Sequence, residues 1–227
     1  MLGLKKTDAN LMFLYAVYLA ALFVGNSMND SYMVLFGMTL PASVLAYPLT
    51  CLVACIVCEL WTREDAAKVA LLGLNIKFVG VVLLGLAQIL TIFPDPGARK
   101  ELWGLLGTSF WEVAGRMVLG RDIRFWTVSI ISFSCAQFAC IAAFSAIRDW
   151  HIRWTGGPWG GRWLRYLCGA LAGEAAEVAV FLTLVLFPDI DAIWRNAAGQ
   201  MYVRGILTLA GLPLFYALTW RRRRRNA

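Results

Sequence analysis

The chain is predicted to be an all-α membrane protein: one polytopic domain, residues 1–227, with six transmembrane helices. Three observations predict it. Of 227 residues 60% are hydrophobic, and mean hydropathy is +0.66, whereas soluble domains are about 45–50% apolar. Several segments reach the roughly 18–20 apolar residues that cross a hydrocarbon core. Charges gather between these segments, and five consecutive arginines, Arg221–Arg225, follow the last.

The first helix is expected at about Asn10–Met28. No small-residue cleavage site follows it, so it reads as a retained span, not a signal peptide. The second is placed at about Pro41–Trp61, with Pro41 in the first turn, where a missing N–H costs nothing. The preceding apolar stretch, Tyr32–Leu40, reads as re-entrant or as an extension of that helix. The third, about Asp65–Phe93, opens on Thr62-x-x-Asp65, a capping pattern with Asp in place of Glu. It ends at Pro94-Asp95-Pro96-Gly97. Within Gly97–Asp122 an interfacial amphipathic helix is expected around Leu102–Val113, with Trp103 and Trp111 at headgroup level. The fourth span is about Ile123–Trp150. The fifth is about Trp163–Phe187, stopped by Pro188, and the sixth about Ala198–Trp220. A basic tail, 221–227, completes the chain.

An even number of spans puts both termini on one side. That side collects Lys5, Lys6, Arg63, Lys68, Arg148, Arg153, Arg162, Arg165 and the arginine tail, so both termini are assigned to the cytoplasmic face of an inner membrane. The net charge of +7 therefore points to lipid headgroups and not to nucleic acid.

Two glutamates interrupt the fifth span. Glu174 and Glu177 lie three apart, hence on one helical face. A carboxylate at bilayer depth costs a few kcal/mol even on lenient scales of roughly +2.5–3.5 kcal/mol. Either they pair with Lys77 or Arg204 and hold the bundle together, or they meet a ligand or a proton in a polar cavity. Intramembrane ionisable groups usually mark a pathway, which favours the second. Arg204 lies about 24 Å along its helix from the arginine tail, and Lys77 about 18 Å from Asp65. Gln137, deep in the fourth span, offers an amide donor and acceptor. Ser129, Ser132, Ser134 and Asn75 read first as interhelical hydrogen-bonding groups, with Asn75 kept among the candidate substrate contacts.

All six cysteines (51, 55, 58, 135, 140 and 168) fall in apolar segments and read as buried thiols. Cys51, Cys55 and Cys58 share a helical stripe, but the chain has one histidine, His151, and no paired metal-ligand spacing, so no metal site is expected. His151 reads as a solvated interface residue. The sequence lacks H-E-x-x-H, G-x-S-x-G, a P-loop and G-x-G-x-x-G. No enzyme activity and no cofactor are expected.

The polar residues of four spans resemble those of the queuosine precursor transporter family, the VUT group. In the second span Pro48, Glu59 and Trp61 match, while Cys55 stands where the family has Asp and Thr62 where it has Gly. In the fourth, Arg124, Ser129, Gln137 and Phe144 match, with Cys140 at an Asp position. In the fifth, Trp163, Leu164 and Phe181 match. Gly169-Ala170 replace Ser-Thr, Glu174 takes an amide position and Glu177 an Asp position. In the sixth, Arg204 and Pro213 fit, with Arg for Lys. Asn26 matches near the end of the first. The resemblance covers about 26–216.

The resemblance implies a six-helix plan similar to the substrate-binding subunits of energy-coupling-factor transporters. It implies uptake of a 7-deazaguanine such as preQ1, queuine or preQ0. The resemblance implies substrate contacts at Glu177, Glu174, Gln137, Cys140, Cys55, Glu59 and Arg204, to which the polar residues of the third span add Lys77 and Asn75 as candidates. Glu177 would accept the guanine-like edge, and Cys55 and Cys140 would face the cavity as neutral thiols. A second carboxylate would favour a cationic base over preQ0. The alternatives are a capture subunit for another vitamin-like molecule that needs a separate energising module, and a membrane metal-handling protein or enzyme. A homo-oligomer is compatible with either transport reading.

Overall fold

The computed structural model of the chain describes residues 8–28, 32–35, 38–92, 123–157, 160–186 and 189–219. Six α-helices dominate: α1 (Asp8–Ser27), α2 (Tyr47–Leu60), α3 (Arg63–Ile92), α4 (Ile123–Thr155), α5 (Arg162–Leu186) and α6 (Ile190–Thr219). Five segments are long and apolar enough to cross a membrane, carried by α1, α2 with the turn before it, α4, α5 and α6. α3, at 30 residues, has the length of a sixth span.

α2 is the axis of the bundle. Every residue from Tyr47 to Leu60 except Leu49 is buried, and α1, α3, α4, α5 and α6 all pack around it. The outer faces are apolar as well. Leu71, Leu72, Ile76, Phe78, Val79, Val82 and Leu83 of α3 are exposed, as a lipid-facing surface requires and an aqueous one would not tolerate. Exposed tryptophans mark both ends: Trp150, Trp154 and Trp163 at one, Trp194 at the other.

α4 and α5 make the most extensive helix pair, and glycine explains how. A Cβ on Gly173 would lie 2.8 Å from the Ala136 carbonyl oxygen, 2.8 Å from Cys140 Cβ and 3.2 Å from Cys51 Sγ. One on Gly169 would lie 2.9 Å from Phe144 Cβ. The Gly169-xxx-Gly173 stripe lets two backbones approach without hydrocarbon between them. Gly173→Ala should therefore destabilise by about 1–3 kcal/mol, the usual cost of overpacking. Gly80→Ala, where the added carbon meets nothing within 4 Å, should be neutral or slightly stabilising. Thermal melting in detergent compares the two, and equal melting temperatures would remove the close-packing account.

Four expectations change. The stretch before α2 is not a helical extension: Tyr32–Leu35 (β1) pairs antiparallel with Met38–Pro41 (β2), Tyr32 opposite Pro41 and Leu35 opposite Met38. The β-branched and aromatic content of a short segment outweighed its apolarity. Pro41 ends that hairpin and leads into a 3-10 turn, Ala42–Leu45; Pro48 is the proline in the first turn of α2. α6 starts at Ile190, not Ala198. The Asp189 carbonyl accepts the first helical bond from Ile193 N–H, and Asp191 lies in the first turn, where a carboxylate complements the helix dipole. α4 runs past Trp150 to Thr155, with Trp150 and Trp154 stacked at 5.9 Å.

The Thr62 capping pattern is present. Thr62 Oγ1 accepts from Asp65 N–H at 3.1 Å and donates to the Asp65 carboxylate at 2.8 Å. Between α4 and α5, Gly156 and Gly161 take positive φ, 69° and 62°, the left-handed conformation that ends α4 and reopens the chain for α5. His151 packs over Gly160 and Gly161, so it is half-buried against this turn and not simply solvated. The expected interfacial helix around Leu102–Val113 and the arginine tail lie outside the described residues.

Candidate functional site

α5 and α6 run antiparallel, and their polar residues meet in pairs. Thr208 Oγ1 donates to Glu174 Oε1 at 2.8 Å. Arg204 binds Glu177 in a buried ion pair. Arg204 also donates to Gln200 Oε1 at 3.4 Å and sits over the Tyr47 ring, 5.5 Å from its centroid. Gln200, Arg204 and Thr208 are spaced by four, so they form one polar stripe on α6; all three are buried. The stripe was readable from spacing, although only Arg204 stood out as a charge.

One level in, α2 and α4 contribute uncharged groups. Gln137 Nε2 donates to Thr50 Oγ1 at 3.2 Å, and Thr50 donates to the Tyr47 carbonyl at 2.7 Å. Lys77 of α3 is buried. Its ammonium donates to Ser129 Oγ at 3.1 Å and lies 4.3 Å from the Phe133 ring centroid and 5.6 Å from that of Tyr47. Among the described residues no carboxylate stands within 4 Å of it. The glutamate that was expected to choose between Lys77 and Arg204 has chosen Arg204.

Among the described residues, four buried polar atoms of this interior have no hydrogen-bond partner: the acceptors Glu174 Oε2 and Gln137 Oε1, the Tyr18 hydroxyl, and the Arg204 Nε donor. Glu174 and Tyr18 are 0% exposed and Gln137 1%. Leaving such a group unpaired costs about 1–3 kcal/mol, so each marks a place where a ligand or water belongs. Gly173, next to Glu174 in sequence, brings α5 against Ala136, next to Gln137, and against Cys51, next to Thr50. Two of the four, Glu174 Oε2 and Gln137 Oε1, are acceptors as placed, and one, Arg204 Nε, is a donor.

Nearer the hairpin, Pro41, Ser43, Tyr47, Glu177, Val178, Phe181, Gln200 and Arg204 line a small pocket. It lies toward the start of α2, and the Glu177–Arg204 pair forms part of its wall.

The remaining expected contacts lie elsewhere. Cys55 and Cys140 face each other, Sγ to Sγ 3.6 Å, inside the apolar core, and neither lines the pocket. Two thiols in the place of two carboxylic acids can pack as hydrophobes, and they do. Glu59 sits at the far end of α2, between Arg162 and Arg165. Asn75 lies on the exposed face of α3. Among the described residues no group of three or more His, Cys, Asp or Glu side chains is arranged to hold a metal.

A family described as putative vitamin uptake transporter matches residues 41–218. No curated protein and no solved structure gives a match. The matched segment takes in the hairpin's last residue, α2 to α5 and all but the end of α6, and with them every buried charged residue among those described. The chain belongs to this family of polytopic membrane proteins, and its general activity is uptake transport.

Proposed function

We propose that the protein takes up a queuosine precursor, a 7-deazaguanine base such as preQ1, queuine or preQ0, across the inner membrane with both termini on the cytoplasmic side. The observation that carries the reading is Glu174: a fully buried carboxylate with one oxygen held by Thr208 and the other unpartnered. A guanine-like edge presents two parallel donors, the ring N–H and the exocyclic amine, which a carboxylate oxygen and an amide carbonyl can accept. Gln137 Oε1 is such a carbonyl, and Tyr18 and Phe133, with ring centroids 6.2 Å apart, supply aromatic surface for a flat base.

This reading moves the principal contact from Glu177 to Glu174, because Arg204 already neutralises Glu177. It keeps the preference for a cationic base, on a different ground. The preference no longer needs two free carboxylates; it follows from a carboxylate with no cation within 4 Å among the described residues and two further atoms that can accept. An aminomethyl ammonium satisfies such a set better than a nitrile does.

The test is a melting series on the purified protein with preQ1, queuine, preQ0 and guanine, beside thiamine, biotin and riboflavin. A ligand specific to the folded state adds about 2.7 kcal/mol of stability at a hundredfold excess over its Kd. The expected order is preQ1 and queuine above preQ0, with no shift from the vitamins. A shift from one of the vitamins, and none from any deazapurine, would make this a carrier for a different vitamin-like molecule.

A further inference from the structure

The far end of the bundle is closed by ions. Glu59, on the last turn of α2, sits between two arginines of the first turn of α5. Arg165 Nε lies 3.3 Å from Glu59 Oε2, and its Nη2 donates to Oε1 at 3.3 Å; Arg162 Nε lies 3.4 Å from Oε1. Arg162 also donates to the Thr219 carbonyl at the end of α6, at 3.1 Å, and lies over the rings of Phe215 and Tyr216. Arg148 of α4 donates to the Cys58 carbonyl at 3.1 Å. Thus α4 and α5 are tied to α2, and α6 to α5, at one level. Glu59 and Arg165 are 1% exposed and Arg162 5%.

This cluster is remote from the pocket. Glu177 stands twelve residues beyond Arg165 on α5, about 18 Å at helical rise, and Arg204 fifteen residues before Thr219 on α6, about 22 Å. Glu174 and Gln137 lie between the two ends. A molecule entering by the pocket end and leaving at the other has to pass the level of Glu59.

We propose that Glu59, Arg162 and Arg165 form the gate at the end of the bundle where α6 leads into the arginine tail, and that release of the substrate requires this ionic lock to break. Membership in a transporter family and the geometry of the cluster support this gate, whatever the substrate. Two buried cations share one anion here. Such a group is a poor way to gain stability, since well-packed apolar residues usually do as well or better. It is a good way to build two states. While the helix ends are together, each ion is held by its partners; once they part, water takes over the same charges, so intermediate openings are disfavoured. An apolar plug would close equally well and would resist opening, because parting it exposes hydrocarbon to water.

Cys58 reports on the gate. It neighbours Glu59, is 1% exposed, and its carbonyl is held by Arg148. Cys55 and Cys140, both 0% exposed in the core, report on global unfolding. The experiment treats the purified full chain with a charged maleimide and follows each cysteine by peptide mass spectrometry. In the wild type Cys58 should be protected. Glu59→Gln removes the anion that two buried guanidinium groups share, so Cys58 should label at least about tenfold faster, with Cys55 and Cys140 still protected. The charge exchange Glu59→Arg with Arg165→Glu should restore most of the protection. If Glu59→Gln does not fold, Arg165→Gln carries the same comparison. Labelling of Cys58 at the wild-type rate, labelling of Cys140 in step with Cys58, or a charge exchange as open as the single variant would each overturn the gate.

Discussion

Glu174→Gln should lower affinity for preQ1 by one to two decades and leave the protein folded. The substitution keeps the shape and removes the charge. The amide oxygen can still accept from Thr208, at the 2.8 Å contact that Glu174 Oε1 now makes. The amide NH2 then occupies the position of Oε2, where a donor faces the donors of the base. Loss of a charge-assisted hydrogen bond costs roughly 1.5–3 kcal/mol, which is about one to two decades in Kd. Because the carboxylate is fully buried with one oxygen unpartnered, its removal should cost no stability and should raise the melting temperature of the ligand-free protein. Titration of the melting shift with preQ1 reads affinity and stability together. Unchanged affinity would take Glu174 out of the binding site.

Glu177→Gln should behave in the opposite way, with its main effect on stability. It removes one partner of a buried ion pair and leaves the Arg204 guanidinium with Gln200 Oε1 at 3.4 Å and the Tyr47 ring. Breaking such a pair from one side typically costs about 3–5 kcal/mol. Arg204→Gln should cost a similar amount, by stranding Glu177. The double variant Glu177→Gln with Arg204→Gln should melt much nearer to the wild type, since neither charge is then left alone. Single variants that melt as the wild type does would show that water reaches the pair through the pocket it lines and that it carries little of the bundle's stability.

The two glutamates have the same chemistry and sit three residues apart, and the sequence ranked them by family position, with Glu177 as the ligand acceptor. The difference between them comes from α6. Arg204 and Thr208 are one turn apart on the facing helix, and antiparallel packing lays the arginine on Glu177 and the threonine on Glu174. Helix register is a property of the assembled pair, so it could not be read from either helix alone. The pattern of Gln200, Arg204 and Thr208 at intervals of four was visible, and it is the one signal from which the pairing could have been foreseen. Arg162 and Arg165 were visible too, but as topology signals. Their burial on Glu59 depends on where the end of α2 meets the start of α5.

By itself the sequence determined that this is a helical membrane bundle and where most of its helices run, because apolar length and the cost of an unpaired backbone in lipid leave few alternatives. It also determined which residues are anomalous there: Glu59, Lys77, Glu174, Glu177 and Arg204 are buried charges, as their place in apolar runs requires. Tertiary structure decided how those charges are spent. It paired Glu177 with Arg204, gathered Glu59 and two arginines at one end, set Lys77 among aromatic rings and a serine, and turned Cys55 and Cys140 toward each other. It left Glu174 as the carboxylate with an oxygen to offer. The physical reason is range: hydrophobic length acts along one segment and is legible there, whereas an ion pair or an unmet acceptor exists only when two helices have fixed their distance and rotation.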